Sequence, residues 1–320
     1  MSDATPLFFD VIPRKAIWGG TKARSYFGYD VPDGTGQVWA FAAQPDGDTV
    51  CRNGAYAGMG MRELFEREPE LFASRYDRFP FIISLVTPED DLSIQVHPTD
   101  DVSRAIGYDH GKNEAWVMLD VDAGASLAYG LNDTVEHAVA RIGSGDVDGL
   151  FRTLPTSKGE FFYIPAGTVH ALGRGNVAYE VQQSTDLTFR IFDYGRVDAQ
   201  GNPRPLDIDR AFESICSAPA AVNETLDFVH PEARVEDADG SCVTEYIAND
   251  AFCITSIKTR GSSVLPRSGY LLCTVSEGEG RVNGAPIRFA DNFLIPATSE
   301  EVRLEGSFTL MITSESSILR

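Results

Sequence analysis

Short runs of aromatic and aliphatic residues recur along most of the chain, separated by glycine, proline and other turn-forming residues. Runs of this length and composition are typical of β-strands, and frequent turn signals between them are typical of a sandwich or barrel. The pattern therefore predicts a mainly β protein, with strands at 37–43, 81–86, 92–96, 114–119, 161–164 and 178–182.

Four stretches depart from this pattern, because they show helical spacing of apolar residues or begin with a capping signal. They predict a helix at 61–75, a helix at 100–108, two short helices within 133–154 that are separated at 143–145, and a linking helix at 207–216. Strands and helices do not alternate along the chain. We therefore expect helical insertions on a β framework rather than a doubly wound α/β sheet.

The chain divides into two predicted domains, at 1–220 and 221–320, because the composition becomes loop-like between about 217 and 235. The first domain carries the helical insertions, at about 61–76 and 133–154. In the second, DNFLIPATSEE parallels GEFFYIPAGTVH, with Pro296 in the place of Pro165 and Glu301 in the place of His170. This parallel suggests an internal duplication. Since the sequence has no histidine after His230, we expect the second domain to lack metal ligands.

The 320 residues carry a formal net charge of −20, spread along the chain. Such a surface repels nucleic acids and anionic lipids, so we expect neither nucleic acid nor membrane as a partner. An anionic substrate would need a few local basic residues. The five cysteines are scattered without a C-x-x-C pair, and no apolar run is long enough to span a bilayer. We expect a cytoplasmic protein with buried, reduced thiols and no signal peptide.

Two histidines and a glutamate are candidates for a metal site. In LSIQVHPTDD, Gln95 and His97 are two residues apart and therefore point to the same face of a strand. GEFFYIPAGTVHAL places His170 after a turn, and GKNEAWVML places Glu114 at the start of a strand. Two imidazoles and a carboxylate are a common set for zinc and other first-row metals, and a glutamine amide oxygen could complete it. Surface positions are favoured for the remaining histidines, His110, His137 and His230.

The spacing G-x5-P-x-G-x2-H, which ends at His170, fits the second motif of the cupins. Cupins are small β-barrels that bind a metal between the ends of their strands. Their first motif usually supplies a histidine pair, and here Gln95 and His97 stand in its place. This resemblance implies a fold of two cupin-type (jelly-roll) β-barrels with small helical insertions.

Four segments, in this order, closely resemble the short bacterial form of the type I phosphomannose isomerases: SIQVHPTDD, GKNEAWVMLD, GEFFYIPAGTVHALGRG and YEVQQSTDLTFRIFDYGR. The likeness covers about residues 7–215. It implies an isomerase that interconverts mannose-6-phosphate and fructose-6-phosphate through a cis-enediol, with one Zn²⁺ per chain. The expected partner is a small sugar phosphate, and the expected assembly is a monomer or weak homodimer.

The resemblance also assigns roles to individual residues. The zinc ligands would be Gln95, His97, Glu114 and His170. The catalytic arginine would be Arg190, which would stabilise the enediolate or assist proton transfer. The substrate-binding residues would be Ser93, Lys112, Glu180, Asp186 and Arg196. The basic members of this set supply the local charge that a phosphate needs. The proton-transfer base stays open between Glu180, a zinc-bound water and a residue beside the ligands.

One position departs from the family, because FPFIISLVTPEDD has Ser84 where a lysine usually helps to neutralise phosphate. Loss of one charged hydrogen bond costs about 1.5–3 kcal/mol, so phosphate binding should weaken unless another residue compensates. Two other functions stay open: an iron-dependent cupin oxygenase, which also uses two histidines and a carboxylate, and a sugar-phosphate-binding regulator without turnover. Without the resemblance, Arg190 and Asp186 would equally well form a structural ion pair.

Overall fold

A computed structural model describes residues 5–198, 200–219, 221–224, 233–236, 241–265 and 269–319. This part of the chain is mainly β, as predicted, and its antiparallel strands form three large sheets and one small hairpin. None of the helices within these ranges has both the length and the apolar character that crossing a membrane requires.

The N-terminal strands are β1 (Leu7–Phe8), β2 (Ile12–Gly20), β3 (Thr35–Phe41), β4 (Ala43–Gln44), β5 (Gly47–Asp48), β6 (Phe81–Val86), β7 (Ile94–Val96), β8 (Glu114–Val121), β9 (Ser126–Leu131), β10 (Phe151–Pro155), β11 (Phe161–Ile164), β12 (His170–Leu172), β13 (Asn176–Gln183) and β14 (Phe189–Phe192). The C-terminal strands are β15 (Ala233–Glu236), β16 (Cys242–Ala248), β17 (Cys253–Leu265), β18 (Leu271–Val282), β19 (Ala285–Arg288), β20 (Asn292–Ile295) and β21 (Val302–Ser314). The helices are α1 (Lys22–Phe27), α2 (Met61–Arg67), α3 (Pro69–Phe72), α4 (Asp100–Ala105), α5 (Val135–Ser144), α6 (Ile208–Ser217) and α7 (Ala221–Glu224). The six strands predicted from the sequence are confirmed as β3, β6, β7, β8, β11 and β13, with small differences at their ends.

Two sheets of the N-terminal part share a core. The five-stranded sheet has the order β10-β9-β12-β7-β14, and the six-stranded sheet has the order β11-β8-β13-β6-β3-β2. Side chains of β8 alternate between its two faces. Trp116 and Met118 pack in one cluster with Val96 of the five-stranded sheet, whereas Ala115 and Val117 belong to a second cluster. The six-stranded sheet is therefore buried on both faces, which explains the nearly continuous apolar runs of its strands.

The C-terminal part forms an eight-stranded sheet with the order β1-β20-β18-β21-β17-β16-β15, in which β19 pairs with β18. β17 and β21 pair along their whole length. The sheet has a core of its own, which includes Val275, Phe293 and Leu310. Because β1 pairs with β20, the beginning and the end of the described chain lie in the same sheet.

A large apolar cluster joins the C-terminal sheet to the outer face of the six-stranded sheet and to the first helices. The rings of Phe72 and Tyr270 lie 5.2 Å apart within it. The hydroxyls of Tyr179 and Thr313, both buried, are hydrogen-bonded across the same boundary at 2.8 Å. Residues 225–232 of the predicted boundary at 217–235 lie outside the described residues, so the division at 220 stays a prediction.

The prediction of one helix at 61–75 was wrong, because the stretch contains the two short helices α2 and α3. Pro69 begins α3, and the preceding Glu68 has φ −124° and ψ 58°, outside the helical region. Proline disfavours helical geometry in the residue before it and cannot donate a backbone hydrogen bond to the preceding turn. α4 and α6 confirm the helices predicted at 100–108 and 207–216, although α4 already ends at Ala105.

The stretch 133–154 contains one helix and one strand rather than two helices. α5 ends where Gly145 adopts φ 79°, a left-handed conformation that suits glycine. The chain then forms β10, which pairs with β9 and places Leu154 opposite Leu127. Phe151 and Leu154 pack against the core between the two N-terminal sheets. This long-range pairing outweighs the local helical spacing.

The two segments that suggested a duplication form β11 and β20. Both strands have four residues and are followed by a proline, Pro165 and Pro296 respectively. Glu301, in the place of His170, is exposed and forms an ion pair with Arg303. Within the described part of the C-terminal sheet, no three metal-binding side chains cluster together.

Cys51, Cys216, Cys253 and Cys273 are free thiols. Cys51, Cys253 and Cys273 are buried, as expected, and Cys242 is half-buried. Cys216 is exposed near the end of α6, contrary to the expectation of buried thiols.

Candidate metal centre

Three side chains that can bind a metal lie together between the two N-terminal sheets. His97, Glu114 and His170 each offer one ligand atom, and these atoms all lie within 4.8 Å of one another. All three residues are buried, with at most 1% of their surface exposed. Charged side chains are seldom buried without a partner, so this cluster is the strongest candidate metal site in the described chain.

Strand pairing brings the cluster together. His170 begins β12 and lies directly opposite Gln95 of β7, and Arg190 of β14 lies opposite Gln95 on its other side. Gln95 and His97 reach the same cluster, as the period of a strand predicts. Gln95 Nε2 is 3.4 Å from His170 Nε2, and His97 Nε2 is 2.9 Å from Glu114 Oε2. Glu114 comes from β8 of the opposite sheet, so the site lies between the sheets.

The turn before β12 depends on a glycine. Gly167 has φ 87°, and a Cβ at this position would collide with the Cβ of Ala218 and lie 2.9 Å from the carbonyl oxygen of Ser214. The backbone N–H of Gly167 donates to the carbonyl oxygen of His97 at 2.9 Å. This bond connects the turn to β7, three residues before His170.

Backbone carbonyls fix the orientation of both imidazoles. Nδ1 of His97 lies 2.9 Å from the carbonyl oxygen of Leu187, and Nδ1 of His170 lies 2.9 Å from that of Thr168. Because a carbonyl oxygen can only accept, each Nδ1 carries the proton and each neutral ring presents the lone pair of Nε2 to the cluster. Contacts of this kind are typical of metal-binding histidines.

The electrostatics of the cluster suit a cation. Burial lowers the pKa of His97 to about 3, and Lys112 acts in the same direction. Burial also lowers the pKa of His170. Burial alone would raise the pKa of Glu114, but the nearby charge of Lys112 holds it well below its ordinary value. Neutral His97 Nε2 and the Glu114 carboxylate are therefore both acceptors at 2.9 Å. A divalent cation bound to both would satisfy them, so these donors fit zinc or another first-row metal.

A second carboxylate, that of Glu180 on β13, lies beside the cluster. Its Oε1 accepts a hydrogen bond from Trp116 Nε1 at 3.1 Å, and burial together with Glu114 raises its pKa well above the ordinary value. Lys112 is buried, and its Nζ lies 3.4 Å from Glu114 Oε2. Ser84 lies opposite Glu180 on β6, and its buried hydroxyl has no hydrogen-bond partner among the described residues. The serine therefore brings no charge to this side of the site.

Arg190 enters the site from the five-stranded sheet. Its Nε donates to Ser93 Oγ at 3.3 Å, and its Nη1 donates to the carbonyl oxygen of Pro205 at 2.9 Å. Burial, followed by the nearby charge of Arg204, lowers the pKa of Arg190. Asp186 is exposed, and the ion pairs of the described residues include none between it and Arg190. The structural ion pair that the sequence left open is therefore absent.

Arg196 lies at the edge of the site and is held by other protein groups. Its Nε and Nη2 donate to Asp193 Oδ1 at 3.1 and 2.5 Å, and its Nη1 donates to the carbonyl oxygen of Asp91 at 2.5 Å. Its side chain is 13% exposed. The phosphate-binding role assigned to Arg196 stays a prediction.

Several residues near the site were not singled out from the sequence. Trp116 is one, although it lies two residues after Glu114 in the same strand and must share its face. The others include Asp193, Arg204 and Asp207, whose alternating charges in FDYGRVDAQGNPRPLD indicate ion pairs without saying which. The backbone carbonyls that orient the imidazoles have no sequence signature.

The other histidines lie apart from the cluster or outside the described residues. His137 is exposed on α5, as favoured from the sequence. His110 is half-buried, and its Nδ1 lies 2.9 Å from Thr185 Oγ1, so the surface assignment was only partly correct. His230 lies outside the described residues.

Known proteins are similar in sequence to this chain over nearly its full length. A family model described as phosphomannose isomerase type I, catalytic domain, matches residues 7–116. The mannose-6-phosphate isomerase ManA of Bacillus subtilis is 38% identical over 310 residues, which cover 94% of this chain and 96% of that protein. The chain belongs to the type I phosphomannose isomerase family.

Other phosphomannose isomerases extend the comparison. The mannose-6-phosphate isomerase of Streptococcus mutans is 33% identical and covers 96% of this chain and 98% of its own length. The crystal structure of the mannose 6-phosphate isomerase from Bacillus subtilis matches with a TM-score of 0.89 at 32% identity, over 97% of this chain and 99% of that one. A variant of phosphomannose isomerase from Salmonella typhimurium, at 14% identity and a TM-score of 0.78, shares the fold. The family resemblance is thus confirmed and extends beyond residue 215.

Proposed function

We propose that this protein is a zinc-dependent mannose-6-phosphate isomerase, which interconverts mannose-6-phosphate and fructose-6-phosphate through a cis-enediol. One observation carries the proposal. In a chain of this isomerase family, two imidazole lone pairs and a carboxylate converge in a buried site between two sheets, beside Arg190.

One Zn²⁺ would be bound by Nε2 of His97, Nε2 of His170 and a carboxylate oxygen of Glu114. Rotation of the Gln95 amide would add its Oε1, because the amide already lies next to His170. Imidazole nitrogens and carboxylate oxygens are typical ligands of catalytic zinc. When bound, the ion supplies Lewis-acid polarisation of a sugar oxygen, which makes the neighbouring C–H bond more acidic.

The reaction moves a proton between C1 and C2 of the open-chain sugar, and negative charge develops on an oxygen as the enediol forms. Arg190 supplies positive charge and N–H donors for that oxygen, or assists the proton transfer. Glu180, whose carboxylate lies beside Glu114 and accepts from Trp116, would bind a sugar hydroxyl or carry a proton on its carboxylate oxygen. Burial of Glu180 and of the three proposed metal ligands would limit the access of bulk water to the reacting atoms.

The phosphate would lie on the basic side of the site. Ser93, Lys112 and Arg196 are the groups that we propose for it, and Asp186 would contact the substrate from the loop after β13. Arg190, Arg196 and Arg204 bring three guanidinium groups to this region, and Asp193 pairs with the last two. The remaining positive charge would favour an anion despite Ser84.

We also propose that the chain forms two cupin-type barrels, residues 1–220 with the metal and residues 221–320 without one. The two facing sheets of the N-terminal part and the separate core of the C-terminal sheet support this division. We further propose a cytoplasmic monomer or weak homodimer.

A coupled assay that follows fructose-6-phosphate formation from mannose-6-phosphate tests the function. Metal-stripped protein should be inactive, added zinc should restore turnover, and His170→Ala should abolish it. Arg190→Lys keeps the charge but loses the planar fork, so kcat should fall by about 100-fold with zinc content unchanged. The matched control is Arg210→Lys on the exposed face of α6, which should keep the unmodified rate.

Folded, zinc-loaded protein without turnover would contradict the proposal. In that case, saturable binding of mannose-6-phosphate would identify a sugar-phosphate-binding regulator. Oxygen consumption after loading with iron would identify a cupin oxygenase.

A further inference from the structure

Between β14 and α6 the chain makes an excursion that comes back beside Arg190. We call residues 200–207 the return segment. Its Pro205 carbonyl oxygen accepts from Arg190 Nη1 at 2.9 Å, and its Asp207 Oδ2 accepts from the backbone N–H of Arg190 at 3.1 Å. The position of the Arg190 guanidinium therefore depends on where the return segment lies.

A buried carboxylate, that of Asp193, lies at the base of this excursion between two arginines. Its Oδ2 accepts from Arg204 Nε at 2.7 Å, and its Oδ1 accepts from Arg204 Nη2. Arg196 makes a second two-pronged contact with Oδ1. The side chain of Asp193 is only 6% exposed. Two-pronged arginine–carboxylate pairs with little solvent access are strong and restrict geometry.

The Asp193–Arg204 pair restricts the Pro205 carbonyl oxygen, which accepts from Arg190. Arg204 directly precedes Pro205, so fixing the Arg204 side chain also restricts the Pro205 carbonyl. Arg204 itself lies near enough to Arg190 to lower the pKa of that guanidinium. Without the Asp193 carboxylate, repulsion between Arg204 and Arg190 would move the return segment away from the site.

The Asp193–Arg196 pair restricts the segment that carries Ser93 Oγ, the other oxygen that accepts from Arg190. Arg196 Nη1 donates to the carbonyl oxygen of Asp91 at 2.5 Å, two residues before Ser93. Ser93 Oγ in turn accepts from Arg190 Nε at 3.3 Å. Among the described residues, the two oxygen atoms that accept from the Arg190 guanidinium, one from Pro205 and one from Ser93, thus belong to segments that Asp193 holds.

We infer that Asp193 is a positioning residue for Arg190. By binding Arg204 and Arg196 together, it fixes the Pro205 carbonyl and the Ser93 hydroxyl, and these hold the guanidinium at the site. The inference rests on the proposed isomerase function. It gives the loop between β14 and α6 a role in catalysis through Arg196 and Arg204, the side chains that Asp193 contacts.

Asp193→Asn tests the inference, because it keeps the shape of the side chain and removes its charge. We expect kcat for mannose-6-phosphate to fall by about tenfold or more, since small misplacements of a catalytic group are costly. KM should change less, and zinc content per chain should stay the same. Asp198→Asn is the matched control, because this exposed aspartate of the same excursion bonds the backbone N–H groups of Gln200 and Asn202. It should keep the unmodified kcat.

A second pair of variants decides the question if Asp193→Asn does not fold. Arg204→Lys keeps a charge for Asp193, and Arg204→Gln does not, so kcat should fall less in the first than in the second. A lowered melting temperature with unchanged kcat per folded molecule in these variants would show a purely structural role and overturn the inference. Zinc-loaded unmodified protein without turnover would instead overturn the isomerase proposal itself, and the inference with it.

Discussion

Nε2 of His97, which carries a lone pair, lies 2.9 Å from the carboxylate oxygen Oε2 of Glu114. The Leu187 carbonyl engages the only proton of the neutral imidazole at Nδ1, so this ring has no proton to donate to Glu114. Two buried acceptors in contact are unfavourable unless a cation lies between them. At the scale of single residues, this contact is the physical reason to expect a metal.

Zinc binding by the His170→Ala variant tests the ligand assignment independently of turnover. We expect zinc affinity to fall by at least about 100-fold, because even changes around a metal ligand cost up to that factor. Zinc content after dialysis and competition with a chromogenic chelator measure the affinity. His137→Ala, an exposed histidine on α5, should bind zinc as the unmodified protein does. Unchanged affinity in His170→Ala would contradict its role as a ligand.

At the scale of elements, the turn between β11 and β12 determines where His170 points. Gly167 combines a left-handed backbone, at φ 87°, with close contact to α6, and its N–H bonds the carbonyl of His97. Gly159, just before β11, has a similar φ of 86° but nothing within 4 Å of a Cβ position. Comparison of substitutions at these two glycines therefore separates the cost of a left-handed backbone from the cost of a steric collision.

Gly167→Ala should destabilise the protein more than Gly159→Ala. Each alanine should cost about 1–2 kcal/mol for its left-handed backbone, and at Gly167 the collision with Ala218 adds to this. Relief of the collision should also move His170 and weaken zinc binding, whereas Gly159→Ala should leave zinc affinity unchanged. Denaturant unfolding and zinc titration measure both effects. Equal losses of stability and zinc affinity in the two variants would contradict this account of the turn.

At the scale of the whole molecule, contacts between the two parts of the chain are apolar and continuous. β1 lies in the C-terminal sheet, and a single apolar cluster includes residues of α1–α3, the six-stranded sheet and the C-terminal sheet. The buried hydrogen bond between Tyr179 and Thr313 lies in this boundary. We therefore expect both parts to unfold together in one cooperative transition.

Tyr179→Phe should lower the free energy of unfolding by about 1–2 kcal/mol, because it leaves the buried Thr313 hydroxyl without this partner. The loss should appear as a shift of one thermal transition, measured by calorimetry. Tyr108→Phe, at a tyrosine that is 45% exposed, should change the stability by less than about 0.5 kcal/mol. Two separate transitions, of which only one responds to Tyr179→Phe, would contradict the expected coupling of the two parts.

The sequence by itself determined the features that depend on local pattern. Apolar runs between turn residues indicated the strands, because residues buried on both faces of a sheet must be apolar along their length. The spacing of two between Gln95 and His97 placed both side chains on one face, and the motif around His170 indicated the family. The roles assigned to these residues remain predictions, but the sequence already selected the side chains that converge.

Only the tertiary structure decided features that depend on partners distant in the chain. The pairing of β10 with β9 replaced a predicted helix, because strand pairing and the packing of Leu154 against a shared core outweigh local spacing. The same holds for the strand register that places Arg190 and His170 on either side of Gln95. The carbonyls that fix the imidazole tautomers belong to the backbone, so no residue type in the sequence indicates them. The charged residues around Asp193 are compatible with several different ion pairs. Local sequence restricts the conformation of neighbouring residues, whereas these contacts are set by how separate strands and loops pack together.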